Sequence, residues 1–382
     1  MSVASVTRIP LVDLGAQYAS ICDEVLPAIE AVLRSSAFIH GPFVAAFERE
    51  MAVFADTQHC IGSANGTEAI FVALKALGVK AGDEVITVAN TFTATAEAIA
   101  WTGAVPRLVD IDPADHLIDP AAVAAAVNSR TVGIVPVHLF GQPARMPELH
   151  EIARRHGLFI VEDAAQAHGA SEGGRPVGTF GQATTYSFYP GKNLGAYGDA
   201  GAVTTNDADL ERQIRLVSDH GRVGRYEHTV VGYGSRLDGL QAAILSVKLK
   251  HLPAWTAARQ RIAARYDALL AGMPGIRAVT PRPGAVSVYH LYVVDVAAAC
   301  RDPLREWLDQ YGIDSGIHYP IPLHLQAAYA YLDHAEGEFP HAEAKARQIV
   351  SLPVYPELTD AQQDHIVSSV AAFLDAHPAA RQ

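Results

Sequence analysis

Apolar positions along the chain change period several times, and each change marks an element. After an extended Ile9-Pro10-Leu11-Val12, the residues Ile21, Val25, Ile29 and Val32 recur at the spacing of one helix face. Gly41-Pro42 interrupts the pattern before a second amphipathic stretch through Phe47 and Val53. From about residue 58, helical patterns alternate with short apolar runs. Helix 69–77 precedes Glu84 to Ala89, 94–102 precedes Pro106 to Asp110, 120–127 precedes Val132 to Val137, and 147–156 precedes Leu158 to Asp163. The runs are apolar throughout, as strands covered on both faces are, so they predict an α/β domain with parallel strands joined by crossover helices. Ala183 to Tyr189 and Gly201 to Thr205 read as further strands, and Asp207 to His220 as a helix. Two helices follow, Leu237 to Leu252, stopped by Pro253, and Trp255 to Leu270. A strand over Val288 to Asp295, a helix over 302–311, a strand over 313–319 and helices near 341–350 and 360–375 complete a smaller α+β unit. The expected division is a large α/β domain over 1–252, including its N-terminal helical segment, and a small C-terminal domain over 253–382.

Composition narrows the function. With 49% hydrophobic and 18% charged residues, the chain has an ordinary globular balance and 382 residues, enough for two domains. Its 29 basic against 41 acidic residues leave a net charge of −12, which excludes a general basic face for nucleic acid but not a local anion pocket. Cys22, Cys60 and Cys300 are widely spaced and odd in number, which suits a reducing compartment and argues against a disulfide framework or a metal site. No signal-peptide pattern opens the sequence and no apolar run spans a membrane, so a cytoplasmic protein without membrane contact is expected.

Four stretches carry candidate chemistry. Ser63-Ala64-Asn65-Gly66-Thr67-Glu68-Ala69 is a small-residue turn opening a helix, where backbone N–H groups and the helix dipole form an anion site on Gly66 and Thr67. The same residues also read as a plain helix cap at Thr67. Thr91-Phe92-Thr93-Ala94-Thr95 directly follows a strand, where ligands of parallel sheets lie. Phe92 there either stacks on a flat heterocycle or fills core. Asp163 ends an apolar strand, where a carboxylate needs a partner. It pairs with a protonated pyridine nitrogen or caps the next helix. Finally, Ser187-Phe188-Tyr189-Pro190-Gly191-Lys192-Asn193-Leu194-Gly195 holds one lysine in a glycine-bounded turn after a strand. A lysine with a depressed pKa forms a Schiff base with an aldehyde, and Ser187 adds a hydroxyl for a phosphate. Aldehyde, ring nitrogen and phosphate together describe pyridoxal 5′-phosphate.

These stretches, with Glu162-Asp163-Ala164-Ala165-Gln166, Gly198-Asp199, Ser235-Arg236-Leu237-Asp238 and Leu240-Gln241-Ala242-Ala243, resemble the DegT/DnrJ/EryC1/StrS family of sugar aminotransferases. The likeness runs from Pro10-Leu11-Val12-Asp13-Leu14 to Ser351-Leu352-Pro353. It implies a fold type I pyridoxal-phosphate enzyme, similar to aspartate aminotransferase, acting as a homodimer with shared sites. By the resemblance, Lys192 carries the cofactor's aldehyde, Asp163 pairs with the ring nitrogen, Phe92 stacks on the ring, and Gln166 lies near the ring hydroxyl. Gly66, Thr67 and Ser187 hold the phosphate; Arg236, from the neighbouring subunit, and His318 and Tyr319 face the substrate. His318 also reads as a structural histidine on a strand. One position departs from the family. Where an asparagine usually reaches the neighbour's phosphate stands Gly234, so that contact must come from backbone, water or another residue.

Within the family, Val137-His138-Leu139-Phe140-Gly141-Gln142-Pro143 and Gly316-Ile317-His318-Tyr319-Pro320 resemble most the branch that aminates carbon 3 of nucleotide-linked 3-keto-6-deoxyhexoses. The implied reaction takes an amino group from L-glutamate, passes it through pyridoxamine 5′-phosphate, and delivers it to the sugar. Two alternatives remain open: a carbon-4 aminotransferase on a 4-keto-6-deoxy sugar nucleotide, and a pyridoxal-phosphate-binding regulator without turnover.

Overall fold

The computed structural model describes residues 8–377. Helices α1 (Leu14–Ser35) and α2 (Gly41–Phe54) come first, and Gly41-Pro42 opens α2, with the proline in the first turn where its missing N–H costs nothing. Then follow β1 (His59–Ser63), α3 (Gly66–Ala76), β2 (Glu84–Val88), α4 (Ala94–Trp101), β3 (Val105–Val109), α5 (Pro120–Ala126), β4 (Thr131–Ile134), α6 (Met146–His156) and β5 (Phe159–Asp163). Short strands β6 (Ser171–Glu172) and β7 (Arg175–Pro176) precede β8 (Ala183–Ser187), β9 (Gly201–Thr205) and α7 (Ala208–Ser218). The long α8 (Gly239–Leu270) leads to β10 (Ile276–Ala278), β11 (Ala285–Val286), β12 (Tyr292–Val296), α9 (Ala298–Gln310), α10 (Pro340–Gln348), β13 (Ile349–Leu352) and α11 (Asp360–Ala376).

The main sheet has seven strands in the order β1-β9-β8-β5-β4-β2-β3, and only β9 runs against its neighbours. The reason is local. The loop from β8 to β9 carries Lys192 and contains no crossover helix, so the chain returns antiparallel. Residues 69–74 of α3 are all buried, because this helix is covered on every side and packs on β8 and β9. Its N-terminus therefore meets the carboxyl ends of the central strands.

Three expectations need correction. Pro253 does not stop a helix: α8 continues through it. Leu249, Leu252 and Trp255 are buried on either side, and packing on α1 and α2 outweighs the roughly 3 kcal/mol an interior proline costs. Segment 313–319 is not a strand and meets its neighbours only at single bridges, Ile9 with Ile313 and Gly316 with Ser351. The third strand of the C-terminal sheet β10-β12-β13 is instead Ile349–Leu352, directly after α10, where the apolar run read as the end of a helix. Strand β1 was also hidden in the pattern. No helix of the described residues is long and apolar enough to cross a membrane.

Candidate active site

A cavity of about 730 Å³ lies at the carboxyl ends of β2, β5 and β8 and gathers residues from across the chain. Lys192, Asp163, Gln166, Ser187, Gly66, Thr67, Phe92, His318 and Tyr319 all line it. Gly234 and Arg236 do not line this cavity; Arg236 Nη1 pairs with Asp219 at 3.0 Å on a neighbouring segment.

One end of the cavity is a cradle for an anion. Asn65 caps α3, its side chain accepting the Glu68 N–H at 2.9 Å, so the cap lies two positions before Thr67. Thr67 is thereby freed to face the cavity within the first turn. The first N–H groups of a helix have no intrahelical partner, which leaves those of Gly66 and Thr67 for a ligand. A Cβ at Gly66 would lie 2.6 Å from the Ser187 Cβ, so only glycine lets the helix start close on that serine. This fits a phosphate held between α3 and β8.

Asp163, 5% exposed at the end of β5, does not cap a helix. Thr95 Oγ1 donates to its Oδ2 at 2.8 Å and the Ala165 N–H to its Oδ1 at 3.1 Å. Two donors fix the direction of the carboxylate. Beside it, Glu162 points to the opposite face, as alternation along a strand demands. Its fully buried carboxylate accepts the N–H groups of Phe180 and Gly181, each at 2.9 Å, and contacts His138 Nε2 at 3.1 Å. The Ala144 N–H donates to His138 Nδ1 at 2.9 Å, which leaves the imidazole proton on Nε2 for Glu162. Glu162 is thus structural, and of the two only Asp163 faces the cavity.

Lys192 sits where the loop doubles back. A Cβ at Gly195 would fall 2.2 Å from the Pro190 carbonyl oxygen, so glycine is what permits the turn. Burial pushes the Lys192 amine down to about 8, although the charge on Asp163 opposes part of that shift. Gln166 Oε1 accepts the Phe140 N–H at 2.7 Å and its amide donates to the Tyr319 hydroxyl at 3.3 Å. Phe92 is 53% exposed and so is not core; its ring lies 5.6 Å from that of Tyr319. His318 Nδ1 lies 2.8 Å from Ser351 Oγ, and burial together with the positive Lys192 pushes the imidazole down to about 4, keeping it neutral.

Sequence reasoning missed Thr95, His290 and Arg259, which build or line the site. Thr95 stood in the quoted Thr91-to-Thr95 stretch, but nothing in its spacing shows that α4 turns its hydroxyl toward Asp163. His168, unassigned from sequence, is buried between the rings of Tyr186 and Phe188, at 5.4 and 5.7 Å.

Comparison with known proteins bears on this geometry. The DegT/DnrJ/EryC1/StrS aminotransferase family model matches residues 19–371. The chain is 48% identical over 368 residues to the pleiotropic regulatory protein of Geobacillus stearothermophilus, covering 96% of this chain and 98% of that one. It is 44% identical over 376 residues to the dTDP-3-amino-3,4,6-trideoxy-alpha-D-glucose transaminase of Streptomyces venezuelae, covering 98% of both. The crystal structure of NtdA from Bacillus subtilis with bound cofactor PMP superposes with a TM-score of 0.90 at 30% identity, covering 98% of this chain and 87% of that one.

Proposed function

The chain belongs to the DegT/DnrJ/EryC1/StrS aminotransferase family and is a pyridoxal-phosphate-dependent sugar aminotransferase of fold type I, and on that premise we propose its substrates and the roles of its residues. The amino group passes from L-glutamate to carbon 3 of a nucleotide-linked keto-6-deoxyhexose. The observation that carries this reading is one cavity uniting the Lys192 amine, the Asp163 carboxylate and the glycine-lined anion cradle, with His318 and Tyr319 opposite. The 44% identity to a transaminase named for a 3-amino sugar supports carbon 3 over carbon 4.

When bound, pyridoxal phosphate supplies an aldehyde that condenses with amines and a cationic ring that withdraws electrons. Gly66, Thr67 and Ser187 would hold its phosphate, Phe92 would stack on its ring, and Gln166 would face its hydroxyl. Asp163, held by Thr95 and Ala165, would keep a proton on its ring nitrogen. Lys192 Nζ removes the proton from the α-carbon of glutamate as a general base. In the second half, the same amine returns a proton to carbon 3 of the sugar. His318 and Tyr319 orient the hexose, the neutral imidazole acting as a hydrogen-bonding group and not as a charge.

Lys192 must be neutral to attack an aldehyde, and with its pKa near 8 the neutral fraction falls about tenfold per pH unit below that value. The rate at which the cofactor-free protein takes up pyridoxal phosphate is therefore expected to rise about tenfold from pH 6 to pH 7 and to level off above pH 8. Stopped-flow absorbance reads this directly, and a flat profile across that range would contradict it.

We also propose that two copies share their sites and that the large and small units divide near residue 252, within α8. The segment bearing Gly234 and Arg236 leaves Tyr226 81% and Val231 93% exposed in the single chain, which suits burial by a second copy. If the asparagine expected at Gly234 reaches the neighbour's phosphate, Gly234→Asn should tighten cofactor binding by roughly tenfold, the worth of one hydrogen bond to a charged group. A Cβ there would sit 3.1 Å from the exposed His220 ring, which can turn aside. An unchanged cofactor dissociation constant by equilibrium dialysis would overturn the idea.

The defining experiment is mass spectrometry of products formed from glutamate and a panel of 3-keto and 4-keto sugar nucleotides. Transfer to 3-keto sugars alone is the expected result. Amination of 4-keto sugars moves the assignment to carbon 4. Failure of glutamate to change the cofactor's absorbance or release 2-oxoglutarate leaves a binding protein without this turnover.

A further inference from the structure

Arg259, in the second half of α8, is 4% exposed yet lines the same cavity as Lys192. A guanidinium taken out of water normally meets an acid, as the partly buried Arg282 does between Asp115 and Glu172. Arg259 makes no ion pair with any described residue. Its Nη1 donates to two backbone carbonyls, Val354 at 2.6 Å and Tyr289 at 3.3 Å. Those two bonds hold the group in place and leave its charge unmatched. Glu357 offsets a little of that charge from a distance, and burial still pulls the guanidinium down to about 10.

We propose that Arg259 receives a carboxylate of the amino donor, a step that rests on the amino-acid donor read above. Three features select this anion. The phosphate cradle is made by other elements, α3 and Ser187, and already has its own donors. The depth of Arg259 admits a small anion, whereas a nucleotide diphosphate is bulky and suits the open side, where Phe92 and Trp101 are 53% and 51% exposed. The planar fork of a guanidinium matches a carboxylate in two parallel bonds. His290, which lines the cavity with Arg259, is pushed well below its usual pKa by burial and by Lys192, so it adds no competing cation. When the keto acid leaves, the two carbonyl anchors keep Arg259 ready while the sugar occupies the site.

The test uses the holoenzyme and its Arg259→Gln and Arg259→Lys variants. Glutamate is titrated in the first half-reaction. A nucleotide-linked amino sugar without a carboxylate is titrated in the reverse of the second. Binding of glutarate is measured by calorimetry. For Arg259→Gln, affinity for glutamate and for glutarate should fall at least about tenfold, as loss of a charged hydrogen-bond pair does, while the amino-sugar constants move less than about threefold. Arg259→Lys should fall between. Equal losses in both half-reactions, or unchanged glutamate affinity, would overturn the proposal and leave Arg259 as a tie between α8 and its neighbouring loops. If Arg259→Gln does not fold, the Arg259→Lys comparison decides by the same criterion. If the wild type ignores glutamate, the donor reading fails, and glutarate binding that is lost in the variants still supports the carboxylate site.

Discussion

Replacing Lys192 with alanine is expected to abolish turnover and the visible absorbance of the covalently attached cofactor. The side chain has two duties in the proposed cycle, as the amine that bonds the aldehyde and as the base that moves the proton. Losing proton transfer alone removes roughly 10²–10⁴ in rate. The fold should survive, because the turn is set by backbone. The Lys192 N–H donates to the Tyr189 carbonyl at 2.8 Å, and the buried Lys248 amine donates to the Gly195 carbonyl at 2.7 Å, neither through the Lys192 side chain. Borohydride reduction followed by peptide mass spectrometry checks the assignment. The cofactor's mass should appear on the peptide containing Lys192 in the wild type and nowhere in the variant; label on another lysine would reassign the site.

Asp163→Asn is expected to keep the fold and slow proton abstraction by roughly a hundred- to a thousandfold, the usual cost of removing a preorganised charge from a buried site. The geometry accommodates the amide. Its oxygen can accept the Ala165 N–H now 3.1 Å from Oδ1, and its NH₂ can donate to Thr95 Oγ1, now 2.8 Å from Oδ2, once that hydroxyl rotates. What the amide cannot do is hold a proton on the ring nitrogen, so the electron sink weakens. Single-turnover kinetics with α-deuterated glutamate would show the slowed step as an enlarged isotope effect. A variant with near-normal rate and unaltered isotope effect would mean that Asp163 does not face the ring.

Much of the fold was legible because the large domain obeys local rules. Strands β2 to β5 and helices α3 to α6 fall within a few residues of their apolar runs, since β2, β4 and β5 are covered on both faces, only Val105 and Arg107 of the edge strand β3 are exposed, and each crossover helix keeps its own period. The misreadings share one cause. Pro253 breaks helices by local chemistry, but α8 is clamped against α1 and α2, and contacts distant in sequence override the proline. Ile349–Leu352 follows a helix without a turn signal, and only its pairing with β12 makes it a strand.

The chemistry divides in the same way. Residue types and spacing alone pointed to Lys192 in its glycine turn, the acid at a strand end and the small-residue helix start, because each answers a local demand of backbone or charge. Which groups meet was decided by the tertiary structure: Asp163 toward the cavity and Glu162 buried on the other face, Thr95 behind Asp163, Asn65 as the cap that frees Thr67, and Arg259, without an ion pair among the described residues, from 67 residues beyond Lys192. Periodicity records the face a residue shows to its own element. The partner across the cavity is a matter of packing, and no single stretch of sequence contains it.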